Sequence, residues 1–206
     1  MENTGFFRDF VFLCKDSTIN KVGGTHMKVI PYEEKYRERC HYICVHTGSP
    51  DNLVNTEHYN FSLLWYCDPY LDHGRAFLLV DDNEEVQGYI LCAEDFKEYA
   101  QYMEGYKKKV HEVAPSFDYR CDISEYVAYQ DKYPAHLHVD ILETGTGKGN
   151  GTMLMQTLLE SLRKDNVKGI MVGVAKDNER AFRFYQKMGF QILEESEGGY
   201  TLGQTL

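Results

Sequence analysis

Hydrophobic and polar positions divide the chain from Met27 onward into alternating strand and helix patterns. A short apolar run, Lys28 to Pro31, predicts a first strand, and Tyr36, Cys40, Ile43 and Cys44 fall on one side of a helix from about Glu33 to Val45. The cluster Thr47-Gly48-Ser49-Pro50-Asp51-Asn52 ends that helix. A second, aromatic helix is predicted from His58 to Tyr66, with Asp68-Pro69 and His73-Gly74 read as loop. Ala76 to Val80 and Val86 to Ala93 flank the acidic turn Asp81-Asp82-Asn83-Glu84-Glu85, the pattern of an antiparallel hairpin. In the last third, strand and helix patterns alternate. Strand Ala135 to Leu142 leads through a glycine loop into helix Gly149 to Lys164, then strand Gly169 to Ala175 and helix Asn178 to Met188. Two strands follow, near Phe190 to Glu194 and Tyr200 to Leu202. Such a βαβα run calls for a parallel strand pair.

Two segments stand outside this pattern. Residues 1–26 read as an N-terminal arm or extra strand, too charged and too short to span a membrane, ahead of a single domain from 27 to 206. Residues 94–134 read as a polar insertion, partly helical between Asp95 and Val113 and rich in tyrosine (Tyr99, Tyr102, Tyr106, Tyr119, Tyr126, Tyr129, Tyr133). Three roles are open to those rings: packing, the interface of a homodimer, or the wall of an acceptor pocket that holds an ammonium group by cation–π contact.

Composition narrows the function classes. With 22 basic and 32 acidic residues the formal charge is −10, which repels phosphate backbones and acidic lipid and argues against nucleic acid or a membrane as partner. The six cysteines (Cys14, Cys40, Cys44, Cys67, Cys92, Cys121) form no C-x-x-C pair, so neither a metal site nor a disulfide framework is indicated and a reducing, cytoplasmic setting is expected.

The run Thr144-Gly145-Thr146-Gly147-Lys148-Gly149-Asn150-Gly151-Thr152 lies where a strand passes into a helix, so its amides point out at a positive helix N-terminus, a cradle for an anion. It is not a nucleotide-triphosphatase loop: Leu142 stands where that loop needs its first glycine, and Gly149 where it needs Ser or Thr. The dinucleotide fingerprint fails as well, because Asn150 and Thr152 occupy its third glycine position in the two possible registers. On the preceding strand His136, His138 and Asp140 alternate with Leu137, Val139 and Ile141, so three titratable groups share one face. They form either a buried polar network or a proton-accepting group for an amine, with Asp140 orienting a histidine or binding a cation.

With Gly149-Asn150-Gly151 in its glycine positions, the loop resembles motif A of the GNAT superfamily, Gln/Arg-x-x-Gly-x-Gly/Ala, although Thr146 replaces the usual Gln or Arg. The run from Asn178 to Phe190 resembles that superfamily's second signature, Asn-x-x-Ala-x-x-Phe-Tyr-x-x-x-Gly-Phe, through Asn178, Ala181, Phe184, Tyr185, Gly189 and Phe190. The resemblance covers roughly residues 27–195. It implies an α/β GNAT fold: a mixed central sheet of six to seven strands, splayed at a cofactor cleft, with helices on both faces. It further implies an acetyl-CoA-dependent N-acetyltransferase acting on a primary amine of a small molecule or peptide. Its cosubstrate would be bound by Val139, Asp140 and Ile141, by Gly147, Lys148, Gly149, Asn150, Gly151 and Thr152, and by Asn178 and Tyr185. Tyr185 would be the general acid, with His138 and Asp140 as further catalytic candidates. The base found early in this strand in some relatives falls on Ala135 and does not carry over. The segment Tyr133 to Ile141 is also similar to acetyltransferase-like domains attached to O-GlcNAc hydrolases, a group in which degenerate domains occur, so the alternative reading is an acyl-CoA-binding or interaction module without catalysis.

Overall fold

The computed structural model describes residues 26–206. The arm or strand expected for residues 1–26, and with it Cys14, lies outside the described residues apart from His26. Seven strands, β1 (Lys28–Pro31), β2 (Arg75–Val80), β3 (Val86–Ala93), β4 (Ala135–Ile141), β5 (Gly169–Ala175), β6 (Gln191–Glu195) and β7 (Gly199–Thr205), form one sheet in the order β1-β2-β3-β4-β5-β7-β6. Every residue of β3, β4 and β5 is buried, as expected of central strands covered on both faces.

One pairing positions the site. β4 and β5 are parallel, but their register holds only at Ala135↔Ile170 and His136↔Met171. From Leu137 on, β4 continues beside β3 while β5 follows β7, and the sheet splays.

Helices α1 (Arg37–Thr47), α2 (Thr56–Tyr66), α3 (Asp68–His73) and α4 (Phe96–Val113) enclose one core against the sheet, and α5 (Asn150–Lys164) and α6 (Glu179–Lys187) the other. α5 buries Leu154, Met155, Leu158, Leu159 and Leu162, each contributing about 1.5–3 kcal/mol of apolar transfer. Asn178 starts α6 by accepting from the Ala181 amide at 3.0 Å, and Gly189, at φ 97°, ends it.

Two local expectations are corrected, and of the roles left open for the tyrosines of residues 94–134, packing holds for most of them. Asp68-Pro69 is the first turn of α3 rather than loop, because proline at that position has its φ preset and needs no N–H partner. α2 starts at Thr56, two residues earlier than expected, since the Asn55 side chain caps the His58 amide at 3.1 Å. The tyrosines of residues 94–134 are largely core: Tyr99, Tyr106, Tyr126 and Tyr133 are buried, and only Tyr119 of the seven is strongly exposed. α4 carries Phe96, Tyr99, Met103, Tyr106 and Val110 on one stripe, and a polar opposite face hid that stripe in a reading by overall composition.

Cys40, Cys44, Cys67, Cys92 and Cys121 are unpaired and buried, and burial raises the Cys40 thiol to about 12 and that of Cys121 to about 11. They pack as small apolar groups. Among the described residues no helix is long and apolar enough to cross a membrane.

Candidate active site

The glycine loop turns through three consecutive residues of positive φ, Gly147 (84°), Lys148 (50°) and Gly149 (84°), and so aims the backbone outward before α5 begins. Carbonyls of Gly147 and Gly149 accept from the amides of Asn150 and Met153, leaving those of Gly151 and Thr152 at the helix start. No acidic residue stands in the first turn of α5 to offset its positive end. Asn150 braces the loop from below, its side-chain amide donating to Gly145 O at 2.8 Å.

This helix start opens into a cavity of about 240 Å³ between β4 and α6. Val139 and Ile141 line it from β4, Gly147 to Thr152 from the loop, and Tyr185 from α6. The structure thus brings together in one cavity nine of the predicted positions. Sequence reasoning missed Arg180, Phe184 and Lys187, which also line it; the signal was their place within about one and a half helical turns of Tyr185 on α6.

Backbone direction follows from the register. Leu142 donates its amide to Gln87 O in β3, so alternate residues 140, 138 and 136 direct their backbone groups at β3. Those of Val139 and Ile141 face the splay, where β5 no longer answers them. For Asp140 this is a correction: its amide and carbonyl belong to the β3 ladder, and its side chain does not line the cavity. The Asn178 side chain is likewise absent from the lining, engaged in capping α6.

Tyr185 is wholly buried, and its hydroxyl has no hydrogen-bond partner. A buried hydroxyl left unpaired costs about 1–3 kcal/mol. Burial raises its pKa well above the ordinary phenol value, and the charge of Asp140 adds to the shift, so the hydroxyl stays protonated at neutral pH.

The face of β4 that carries His136, His138 and Asp140 is closed over by aromatic rings. Asp140 accepts from Tyr89 at 2.6 Å and pairs with His138 Nε2 at 2.8 Å, both buried. His136 Nε2 lies 2.9 Å from Tyr70 Oη. These residues occupy the face opposite Val139 and Ile141.

A family model described as the acetyltransferase (GNAT) family matches residues 32–190. The chain belongs to this family. It is therefore an acetyltransferase, and the family's acetyl donor is acetyl-CoA. Solved structures agree on the fold. SsHAT is 24% identical with a TM-score of 0.76, covering 87% of this chain and 98% of that one. A GCN5-related N-acetyltransferase from Kribbella flavida is 12% identical with a TM-score of 0.55, covering 87% and 98%. YncA from Salmonella typhimurium, solved with its cofactor acetyl-CoA, is 15% identical with a TM-score of 0.51, covering 88% and 94%. The GNAT sheet order and splay thus account for the open parallel pair of β4 and β5.

Proposed function

We propose that the chain transfers an acetyl group from acetyl-CoA directly to a primary amine of a small molecule or peptide. The observation that carries this reading is the unpartnered Tyr185 hydroxyl in the wall of a cavity whose mouth is the glycine loop. The residues fit the cosubstrate: positive-φ glycines with open space above Gly147 and Gly149, free amides at a helix start, and a buried donor deep in the cleft.

In this reading the amides of Gly151 and Thr152 and the ammonium of Lys148 hold the pyrophosphate, taking over the work of the long side chain that Thr146 lacks. Backbone groups of Val139 and Ile141 bind the pantetheine arm in the place where a neighbouring strand would otherwise pair. Acetyl-CoA, when bound, supplies an activated acyl carbon on a thioester. As the amine nitrogen bonds to that carbon the C–S bond breaks, and the electron pair leaves on sulfur. Tyr185 donates to that sulfur, and the surplus proton of the nitrogen passes to a base or water. A phenol that burial keeps protonated is a good hydrogen-bond donor and a reluctant acid, so its effect is moderate. The reading as a binding module without catalysis is opposed by an unpartnered hydroxyl on a tyrosine that lines the cavity.

Titration of the folded protein with CoA, followed by release of free thiol in the presence of acetyl-CoA and an amine panel, tests the proposal. A raised thermal midpoint and thiol release with at least one amine are expected. An unchanged midpoint at saturating CoA sinks the cosubstrate assignment, and binding with no turnover on any amine returns the chain to the module reading.

A further inference from the structure

On the other face of β4 a slot of about 20 Å³ opens among the rings of Trp65, Tyr66, Tyr70, Tyr99 and Tyr126. Its inner end is built by His136 and Leu137. These residues are consecutive, so their side chains point to opposite faces of the sheet. A slot that touches both reaches the sheet just where pairing with β5 stops, at His136↔Met171. Leu137 and Val139 are neighbours on one face of β4, about 7 Å apart by the rise of a strand. The slot lies on the His136 face of the strand, and Val139, two residues on from Leu137, lines the cofactor cavity from the opposite face.

Two buried polar atoms of the slot have no partner, His136 Nδ1 and Glu125 Oε1. His136 Nε2 and Tyr70 Oη share one hydrogen bond; in the tautomer that carries its proton on Nε2, the ring presents a lone pair at Nδ1. Gly173 lets the loop come this close: a Cβ there would stand 2.5 Å from Tyr126 Oη and 3.8 Å from Glu125 Oε1. A group that donates hydrogen bonds would satisfy Glu125 Oε1 and, in that tautomer, His136 Nδ1 as well. Aromatic faces around it and the carboxyl groups of Glu125 and Asp122, the latter exposed, favour a cation. The volume admits little more than one water-sized group, so the end that enters is small and unbranched.

Building on the acetyl-transfer reading above, we propose that this slot receives the acceptor as a primary ammonium at the end of an unbranched alkyl chain, hydrogen-bonded to Glu125 Oε1 and His136 Nδ1, and that Glu125 is the base. The alkylammonium and the Glu125 carboxylate become an amine and a carboxylic acid. The freed nitrogen lone pair then forms the C–N bond as the C–S bond breaks and its electron pair leaves on sulfur; the nitrogen's second proton ends on that sulfur as the CoA thiol, and Glu125 returns its own proton to water.

Charges around the pair fit this assignment. Burial raises the Glu125 carboxyl to about 7, Asp122 and Glu194 push the same way, and the Tyr126 hydroxyl opposes them. Across the slot stand the hydroxyls of Tyr66, Tyr70 and Tyr99 and the ring of His136, which burial and the neighbouring His138 hold neutral, at about 3. Arg120 donates to Tyr66 Oη at 3.2 Å and lies over the rings of Phe61 and Phe117, outside the slot lining. The histidine, held far below its ordinary value, is the weaker base of the two, and the carboxylate is the group that takes the proton.

The test compares butylamine and 1,5-diaminopentane with sec-butylamine and aniline as acceptors, and titrates butylammonium chloride into the protein alone by NMR. Both unbranched amines should show kcat/KM at least tenfold above the other two. Glu125→Gln should lower kcat/KM for butylamine at least tenfold, remove the inflection near pH 7, weaken butylammonium binding at least tenfold and leave the CoA Kd within twofold. Glu125→Asp keeps a carboxylate and should keep an inflection, and it serves if the amide variant does not fold. An unaltered pH profile and butylammonium affinity in Glu125→Gln, or equal rates for branched and unbranched amines, overturns the slot while leaving acetyl transfer intact. Failure of the wild-type protein to bind CoA overturns the acetyl-transfer reading instead. In that case the butylammonium titration decides the slot alone, and equal or absent binding in wild type and Glu125→Gln overturns it.

Discussion

His138 Nε2 stands 2.8 Å from Asp140 Oδ2, and the Tyr89 hydroxyl donates to that same carboxylate oxygen at 2.6 Å. All three side chains are buried on the face of β4 turned away from Val139 and Ile141. A carboxylate so placed holds two partners, and its removal strands both. Asp140→Ala is expected to destabilise the fold by about 3 kcal/mol, and Asp140→Asn by less, while the CoA Kd of the folded protein changes little. Chemical denaturation with parallel CoA titration checks this. Full stability combined with lost turnover would instead place Asp140 in the chemistry.

The glycine loop separates conformation from charge. An L side chain in the left-handed region costs about 1–2 kcal/mol, and Lys148 already stands there at φ 50°. Gly149→Val should therefore lose stability of that order and weaken CoA binding at least tenfold through a reshaped loop. Lys148→Ala should keep its stability and lose CoA affinity in a salt-dependent manner. If Lys148→Ala binds CoA with the wild-type constant and salt slope, the lysine plays no part in holding the pyrophosphate.

Much of this architecture was legible in the sequence. The hairpin of β2 and β3, the βαβα run from Ala135 and the order of loop and signature helix follow from alternation, caps and glycines, which are local properties. Val139, Ile141, the loop and Tyr185 converge because a strand, its glycine turn and a capped helix leave few ways to pack. What stayed hidden depends on tertiary pairing. Asp140 shares a strand with Val139, yet the register with β3 turns its backbone away from the cleft, and no single-strand pattern encodes that register. Glu125 lies in an irregular segment with no periodicity, and only folding brings it beside Gly173 of β5.

His136 makes the fold sensitive to acid. Its pKa falls from 6.5 to about 3, chiefly through burial, so between those values the unfolded chain binds a proton that the native chain does not. Stability from this residue is complete above about pH 6.5 and is lost as pH falls toward 3, at up to about 1.4 kcal/mol per pH unit. Urea midpoints measured from pH 7 to pH 4 should fall more steeply for the wild type than for His136→Gln. Parallel curves would show that the ring protonates without cost in the native state.

Tyr185 carries the most direct test of the chemistry. Its hydroxyl is buried, unpartnered and set in the cavity wall that the glycine loop opens, so it lies ready to donate where the leaving sulfur develops charge. Tyr185→Phe removes only that donor and keeps the ring that packs against Phe184 and Phe190. Deleting an unpaired buried hydroxyl strands no protein partner, so stability should hold or rise slightly. kcat should fall by about 10- to 100-fold, the range for one proton donor that water partly replaces, with the CoA Kd nearly unchanged. A ring serving only as an aromatic wall would leave kcat at the wild-type value. Steady-state rates with an accepted amine and CoA titration on the same preparation separate these outcomes, and an unaltered kcat would pass the proton-donor role to a water in the cleft.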